Sequence, residues 1–322
     1  MIASSYHHTV NVLQAAAHSA RGPFDRPEWF DLLARSEAPP LFALTSDGEN
    51  AVALPLARAN GRLEALQNWY TFSWRPIGSD CPALLEAAAR DLRNHSHRVT
   101  MWPVPGEDKS ADRVTAAFRE AGWSVHCEEC DHNHVLEVDG RSFAQYWQER
   151  PGPMRTTLKR KAKKVSVTIL DRFDAASWEA YEAIYNESWK PTEGAPNLLR
   201  RFAEAEGAAG RIRLGIARAE DVPVAAQFWT VENGTAYIHK LAHRESAKPL
   251  SAGATLSAAM FRQVIDEDKV QWIDFGTGND PYKRDWMEID RPRYRIDCLD
   301  PAQPRAWPAL AKRALAPFLP AR

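Results

Sequence analysis

The sequence predicts an α/β chain of the α+β kind. It reads as two similarly ordered halves, each a central mixed, mostly antiparallel sheet flanked by helices. Three observations predict this. Short period-2 apolar runs are interleaved with stretches of helical period along the chain. Both halves follow one order: helix, a meander of about three strands, then helix, strand, helix and strand. At 322 residues, each half is long enough to bury its own core. No repeat is visible in the residues themselves, so the duplication is one of pattern. The expected boundaries are 1–139, 140–300, and an amphipathic tail over 301–322.

Residues 1–26 read as a loose lead-in with one short helix. Asp25-Arg26-Pro27-Glu28 opens a helix, with proline near its first position and glutamate in its first turn. Strands are expected over 41–45, 51–57 and 63–67, the first pair joined by Ser46-Asp47-Gly48. A helix over 82–94, a strand over 99–103 and a helix over 110–121, stopped by Gly122, come next. Strands over 124–127 and 134–138 finish this half.

The second half opens with helices over 142–150 and 154–165 and a strand over 166–170. Asp174 caps a helix running to about residue 188, whose stripe is Trp178, Tyr181, Ile184 and Tyr185. A helix over 197–206 precedes strands over 212–217, 222–230 and 235–243. Glu232-Asn233-Gly234 is a hairpin turn between the last two. A loop over 251–255, a helix to about 266, and strands over 271–275 and 294–298 complete it. In the tail, Trp307, Leu310, Ala311, Ala314, Leu315 and Phe318 share a helical face, and Pro317 ends the helix. That face packs back onto the body or forms a homodimer contact.

Hydrophobic content of 44% and charged content of 26% are ordinary for a soluble globular chain. A net charge of −1 gives no global field toward nucleic acid or acidic membrane. The first twenty residues lack a cationic start and a continuous apolar run, so no signal peptide is expected. No segment approaches a membrane span, and a cytoplasmic location is the default. Four cysteines make no disulfide scaffold. Cys127 and Cys130, with His126, His132 and His134 nearby, have the spacing of a zinc half-site, but no second cysteine pair exists. An exposed hairpin without metal is the expectation there.

The stretch 235–286 organises the rest. Strand, small-residue loop, helix and strand is one way a chain offers backbone N–H groups to a phosphate. The loop Ser251-Ala252-Gly253-Ala254-Thr255 lets a ligand approach the backbone, with Arg244 and Lys248 just upstream. Six basic residues lie between 155 and 164: Arg155, Lys159, Arg160, Lys161, Lys163 and Lys164. They form either a solvated helix face or a contact for tRNA, an anionic glycan or a nucleotide-sugar pyrophosphate.

Ordered pieces of the second half carry a resemblance. They are Tyr146-Trp147, the run 155–161, Ser188-Trp189-Lys190, Ala225-Ala226-Gln227-Phe228-Trp229, Tyr237 with Lys240-Leu241-Ala242, Gly253 and Leu256, Asp274-Phe275-Gly276-Thr277-Gly278, and Tyr282-Lys283-Arg284-Asp285-Trp286. The set resembles the GNAT superfamily of N-acyltransferases. More closely it resembles the bacterial acetyltransferases labelled as cellulose- or polysaccharide-biosynthesis proteins. These are similar to Fem-type aminoacyltransferases, which carry two GNAT-like domains per chain. The first half matches more loosely, through Leu54-Pro55-Leu56 and Asn68-Trp69-Tyr70. Two places depart from the pattern: Ala252 stands where proline is usual, and His243-Arg244 where Tyr-Asp is usual.

The resemblance implies acetyl-CoA or another acyl-CoA as co-substrate, bound through Leu241, Ser251, Ala252, Gly253, Ala254 and Thr255. It implies direct attack of an acceptor amine on the thioester, with no metal. Asp274 or His239 is the candidate base and Tyr282 the candidate proton donor to the thiolate. Asp274 also reads as a turn cap, and His239 as a satisfied strand histidine. Asn68, Tyr70, Tyr185, Trp189, Lys190, Gln227 and Lys283 are the candidate acceptor contacts, the first half serving as the acceptor side. The acceptor is expected to be the amino group of a sugar, amino acid or small metabolite. Transfer from charged tRNA, or a non-catalytic accessory role in polysaccharide synthesis, are the alternatives.

Overall fold

A computed structural model describes residues 1–16, 20–36 and 39–315. In chain order the elements begin with β1 (Ala3–His7), α1 (Leu13–Ala16), α2 (Pro27–Ala34), β2 (Pro40–Ser46), β3 (Ala51–Ala59), β4 (Arg62–Ala65) and β5 (Ile77–Gly78). Then come α3 (Pro82–Leu92), β6 (Arg98–Pro105), α4 (Ser110–Glu120), β7 (Ser124–Glu137), α5 (Phe143–Gln148), α6 (Gly152–Lys161) and β8 (Ser166–Leu170). The rest are α7 (Ala175–Asn186), α8 (Pro196–Ala208), β9 (Ile212–Ala219), β10 (Val222–Glu232), β11 (Thr235–His243), α9 (Ala252–Arg262), β12 (Trp272–Thr277), β13 (Ile289–Leu299) and α10 (Trp307–Leu315).

The chain forms two compact units, one of Met1–Asp131 with Arg291–Arg322, the other of His132–Asp290. In the first the strand order is β1-β2-β3-β4-β6-β13, and in the second β8-β9-β10-β11-β12-β7. Neighbours are antiparallel except β4 with β6 and β11 with β12, which are parallel. Each unit is thus an antiparallel meander joined through one parallel pair to a last antiparallel strand. A parallel pair needs a crossover, and α3 and α9 supply it. The expected fold class, tandem mixed sheets with flanking helices, is the one observed.

Local chemistry explains the elements that position the site. Asp174 caps α7 by accepting from the Ser177 N–H at 2.8 Å. Ser142 and Gln145 form a reciprocal capping box on α5. Asn233 and Gly234, both with positive φ, turn β10 into β11. Adjacent residues of β10 face opposite ways. Phe228 meets Trp178 of α7 and Phe202 of α8, while Trp229 meets Phe261 of α9. Helices α7 and α8 therefore cover one face of the second sheet and α9 the other.

Several expectations change. The lead-in contains a strand, β1, which pairs along β2 from Ala3↔Ser46 to His7↔Phe42. Residues 124–137 are one strand rather than two, so the cysteine segment is no hairpin. Three positions apart on a strand, Cys127 and Cys130 point to opposite faces. Both are free, and among the described residues no cluster of His, Cys, Asp and Glu is placed to hold a metal. The helix expected to 266 leaves α geometry after Arg262 and continues as a π turn, Gln263–Glu267. Residues 294–298, read as completing the second half, pair with β6 and belong to the first unit.

In the tail, α10 leaves Trp307 and Leu315 exposed, while Arg313 ties the helix to the Asp297 carboxylate at 2.7 Å and the Ser124 carbonyl at 3.1 Å. Phe318 and Pro317 lie outside the described residues. No described helix is long and apolar enough to cross a membrane.

Candidate functional site

The site of interest lies within the second unit, where β11 and β12 part. Their parallel pairing covers only Thr235↔Trp272, Ala236↔Ile273 and Tyr237↔Asp274, yet β11 continues to His243 and β12 to Thr277. A bulge opens at the same level, because Phe228 pairs with Lys240 and Trp229 with Ile238, leaving His239 unmatched. The bulge turns both His239 and Lys240 toward the α7–α8 side. His239 packs on Phe228 and Phe202 and shares a 2.7 Å hydrogen bond with the Thr230 hydroxyl. Lys240 donates to the Glu193 carboxylate at 2.7 Å and lies 5.0 Å over the Tyr185 ring.

One wall is the start of α9. Ser251 takes the left-handed conformation (φ 53°) and gives the helix no side-chain cap. The first intrahelical bond runs from Thr255 N–H to the Ser251 carbonyl, so the N–H groups of Ala252, Gly253 and Ala254 precede any helical acceptor. Lys161 of α6 donates to the Ser251 hydroxyl at 3.3 Å. The Thr255 hydroxyl is buried with no hydrogen-bond partner among the described residues. A Cβ on Gly253 would meet His243 Cδ2 at 3.1 Å, so the imidazole lies directly over this turn. The Trp189 ring packs on that imidazole at a tilt, 4.4 Å between centroids. Leu241, also on β11, is half-buried against the core that includes α9.

The opposite wall is the turn after β12. Asp274 accepts from the Gly276 N–H at 2.8 Å and from the Asn133 amide at 3.1 and 3.2 Å. Lys283 is 4% exposed and donates to the Thr277 and Gly276 carbonyls at 2.5 and 3.4 Å. Its ammonium holds this turn. Tyr282 packs edge-on to Phe275, and burial, aided by Asp280, raises its hydroxyl well above the usual phenol range. The phenol therefore keeps its proton.

Gln227 is buried to 1% exposure. Its amide donates to the Ser257 hydroxyl at 2.7 Å, and its carbonyl accepts from the Trp229 indole at 2.9 Å. It fastens β10 to α9. Asn68 and Tyr70 belong to the first unit, where the Asn68 side chain caps the Tyr70 N–H at 3.0 Å and Tyr70 is buried.

Sequence reasoning missed Glu193 as a site residue and treated Lys240 only as part of a pattern. The signal for Lys240 was present: a lysine in the alternating buried register of β11, among Ala236, Ile238 and Ala242. A charge in that register needs a partner. Burial lowers the Lys240 pKa against the pull of Glu193, and burial together with Glu193 pushes the Tyr185 hydroxyl up to about 12. Lys190 is also held below its ordinary pKa by burial, against the opposing charges of Asp280 and Glu193.

Residues 154–284 match the family model described as Acetyltransferase (GNAT) domain. Over this segment, less than half of the chain, the protein is similar to that family. The enzyme class is N-acyl transfer. No curated protein sequence matches the chain. Solved structures give the fold over nearly the whole length. The L-PGS structure from Bacillus licheniformis is 14% identical with a TM-score of 0.56, covering 92% of this chain and 98% of that one. FemX is 9% identical with a TM-score of 0.63, covering 92% and 98%. A tandem GNAT protein from the clavulanic acid biosynthesis pathway is 13% identical with a TM-score of 0.55, covering 94% and 100%. The tandem GNAT arrangement is therefore the fold of this chain.

The first unit has a pseudo-equivalent opening between β4 and β6, which pair only at Leu63↔Val99 and Glu64↔Thr100. Its own chain occupies that gap. The Trp74 N–H donates to the Pro103 carbonyl and the Trp74 indole to the Pro55 carbonyl, both at 2.8 Å. Trp74 is 1% exposed.

Proposed function

We propose that this protein moves an acyl group, acetyl in the simplest case, from acyl-CoA to the amino group of a small molecule or sugar. The parting of β11 and β12 beside the uncapped start of α9 is the observation that carries this reading. Three backbone N–H groups, the partial positive charge of an eleven-residue helix and Lys161 suit a pyrophosphate. The unpartnered Thr255 hydroxyl adds a donor. The open edges of β11 beyond Tyr237 suit the amide groups of a pantetheine arm.

The acceptor amine attacks the thioester carbonyl, and the thiolate leaves. Asp274 acts as base through a water. The Gly276 N–H and the Asn133 amide already occupy its oxygens, so a water relays the proton. His239, held by Thr230 and ringed by Phe202 and Phe228, positions the bulge instead. Tyr282, protonated and next to β12, returns a proton to the thiolate. Tyr185, Trp189 and Lys190 line the acceptor approach. The polysaccharide-biosynthesis affiliation, a cytoplasmic setting and a homodimer through α10 belong to the same reading.

Binding of acetyl-CoA by calorimetry, and release of CoA thiol with a panel of amines, test it. No binding of any acyl-CoA would sink it. One feature favours a second reading. Arg155, Lys159, Arg160, Lys163 and Lys164 are exposed, with no ion pair among the described residues. Such a face suits the phosphates of a charged tRNA. Saturable, salt-sensitive tRNA binding lost on neutralising these residues would establish it.

A further inference from the structure

Lys240 and Lys190 both stand at the opening between β11 and β12, and they are not alike. Lys240 is spent: its ammonium is ion-paired to Glu193 at 2.7 Å. Lys190 makes no side-chain hydrogen bond or ion pair among the described residues. Its amine lies 5.4 Å over the Trp189 ring, and that ring packs at a tilt on His243 at the end of β11. The charges of Asp280, just past β12, and of Glu193 and Lys240 act on it. The stem is fixed, because Lys190 N–H donates to the Ser188 hydroxyl, which itself donates to the Tyr185 carbonyl closing α7. A half-buried amine with no acceptor of its own among the described residues is therefore held near the end of β11, within reach of the Asp280 charge beyond β12. Burial favours its neutral, nucleophilic form.

We infer that Lys190 is a self-acylation site, modified by the protein's own acyl-CoA when no acceptor occupies the opening. The inference rests on the acyl-CoA reading above. The Lys190 nitrogen attacks the thioester carbonyl, a C–N bond forms and the C–S bond breaks. The proton lost by the amine goes to the departing thiolate, leaving Nε-acyl-Lys190 and free CoA thiol. No oxidant, metal or further reactant is required. The amide is stable, so the modification caps the acceptor approach instead of passing the acyl group on. Acylation removes a cation that has no ion pair among the described residues.

The purified full chain, incubated with isotopically labelled acetyl-CoA and no amine, is read by intact mass and peptide mapping. The expected result is one acetyl group per chain on Lys190, acquired at least about tenfold faster than on exposed Lys164 through proximity alone. Heat-unfolded protein should lose that preference. Lys190→Arg should abolish the fast phase while keeping the melting temperature and the calorimetric affinity for acetyl-CoA. Acetyl-CoA that binds but labels Lys190 no faster than Lys164 overturns the inference and leaves the acyl-CoA reading standing. Acetyl-CoA that does not bind at all overturns both.

Discussion

Glu193 and Lys240 form a buried ion pair of 2.7 Å, with side chains 10% and 7% exposed. It joins the α7–α8 loop to the bulged part of β11, so the shape of the opening depends on it. Removing one partner strands the other charge out of water. Glu193→Gln should destabilise the chain by about 3–5 kcal/mol, read as a lower urea midpoint at unchanged slope. Replacing the pair together, with Lys240→Met and Glu193→Leu, should recover most of that loss. An equal loss in both variants would show that the pair's charge balance is not what holds the loop.

Tyr282→Phe deletes the proposed proton donor but keeps the ring against Phe275. The turnover number should fall by roughly a hundredfold with acyl-CoA affinity unchanged. A Tyr282→Phe variant with full turnover would remove Tyr282 from the mechanism.

One acyl-CoA should bind per chain, not two. The opening in the first unit is closed by Trp74, whose two 2.8 Å bonds reach Pro103 on one side and Pro55 on the other. Calorimetric stoichiometry decides this. A value near two sites per chain would contradict the closed opening.

Glu288 should make the second unit acid-sensitive. Burial alone would raise its carboxyl, but the Arg141 hydrogen bond and the charges of Arg150 and Arg141 outweigh this and hold it below the ordinary 4.5. Its folded pKa is thus lower than its unfolded one. The contribution is full above the unfolded value and is lost as pH falls through the folded value. Thermal melts below pH 5 should show a steeper decline for the wild type than for Glu288→Gln. Parallel declines would assign the acid sensitivity elsewhere.

Much of this was legible from local pattern. The strand over 235–243, the Asp174 cap and the Asn233-Gly234 turn depend on neighbours within a few residues, so period and turn chemistry suffice. Other features depend on partners far along the chain. β1 reads Ala-Ser-Ser-Tyr-His, with no apolar alternation, and becomes a strand only because β2 offers it hydrogen bonds. The charge on Lys240 was visible, but Glu193 was not tied to it, because 47 residues separate them.

The sequence by itself determined the two-fold order of elements, the small-residue start of α9 and the acyltransferase pattern in the second half. These follow from side-chain period and backbone permissiveness, which act locally. Only the tertiary structure decided which strands complete each sheet, where β11 and β12 part, and which polar groups remain available there. Pairing partners satisfy Gln227, Lys240, Asp274 and Lys283 and leave the Lys190 side chain without a hydrogen bond or ion pair among the described residues. A buried polar group must find its partner somewhere in the fold, and only the packed chain shows where.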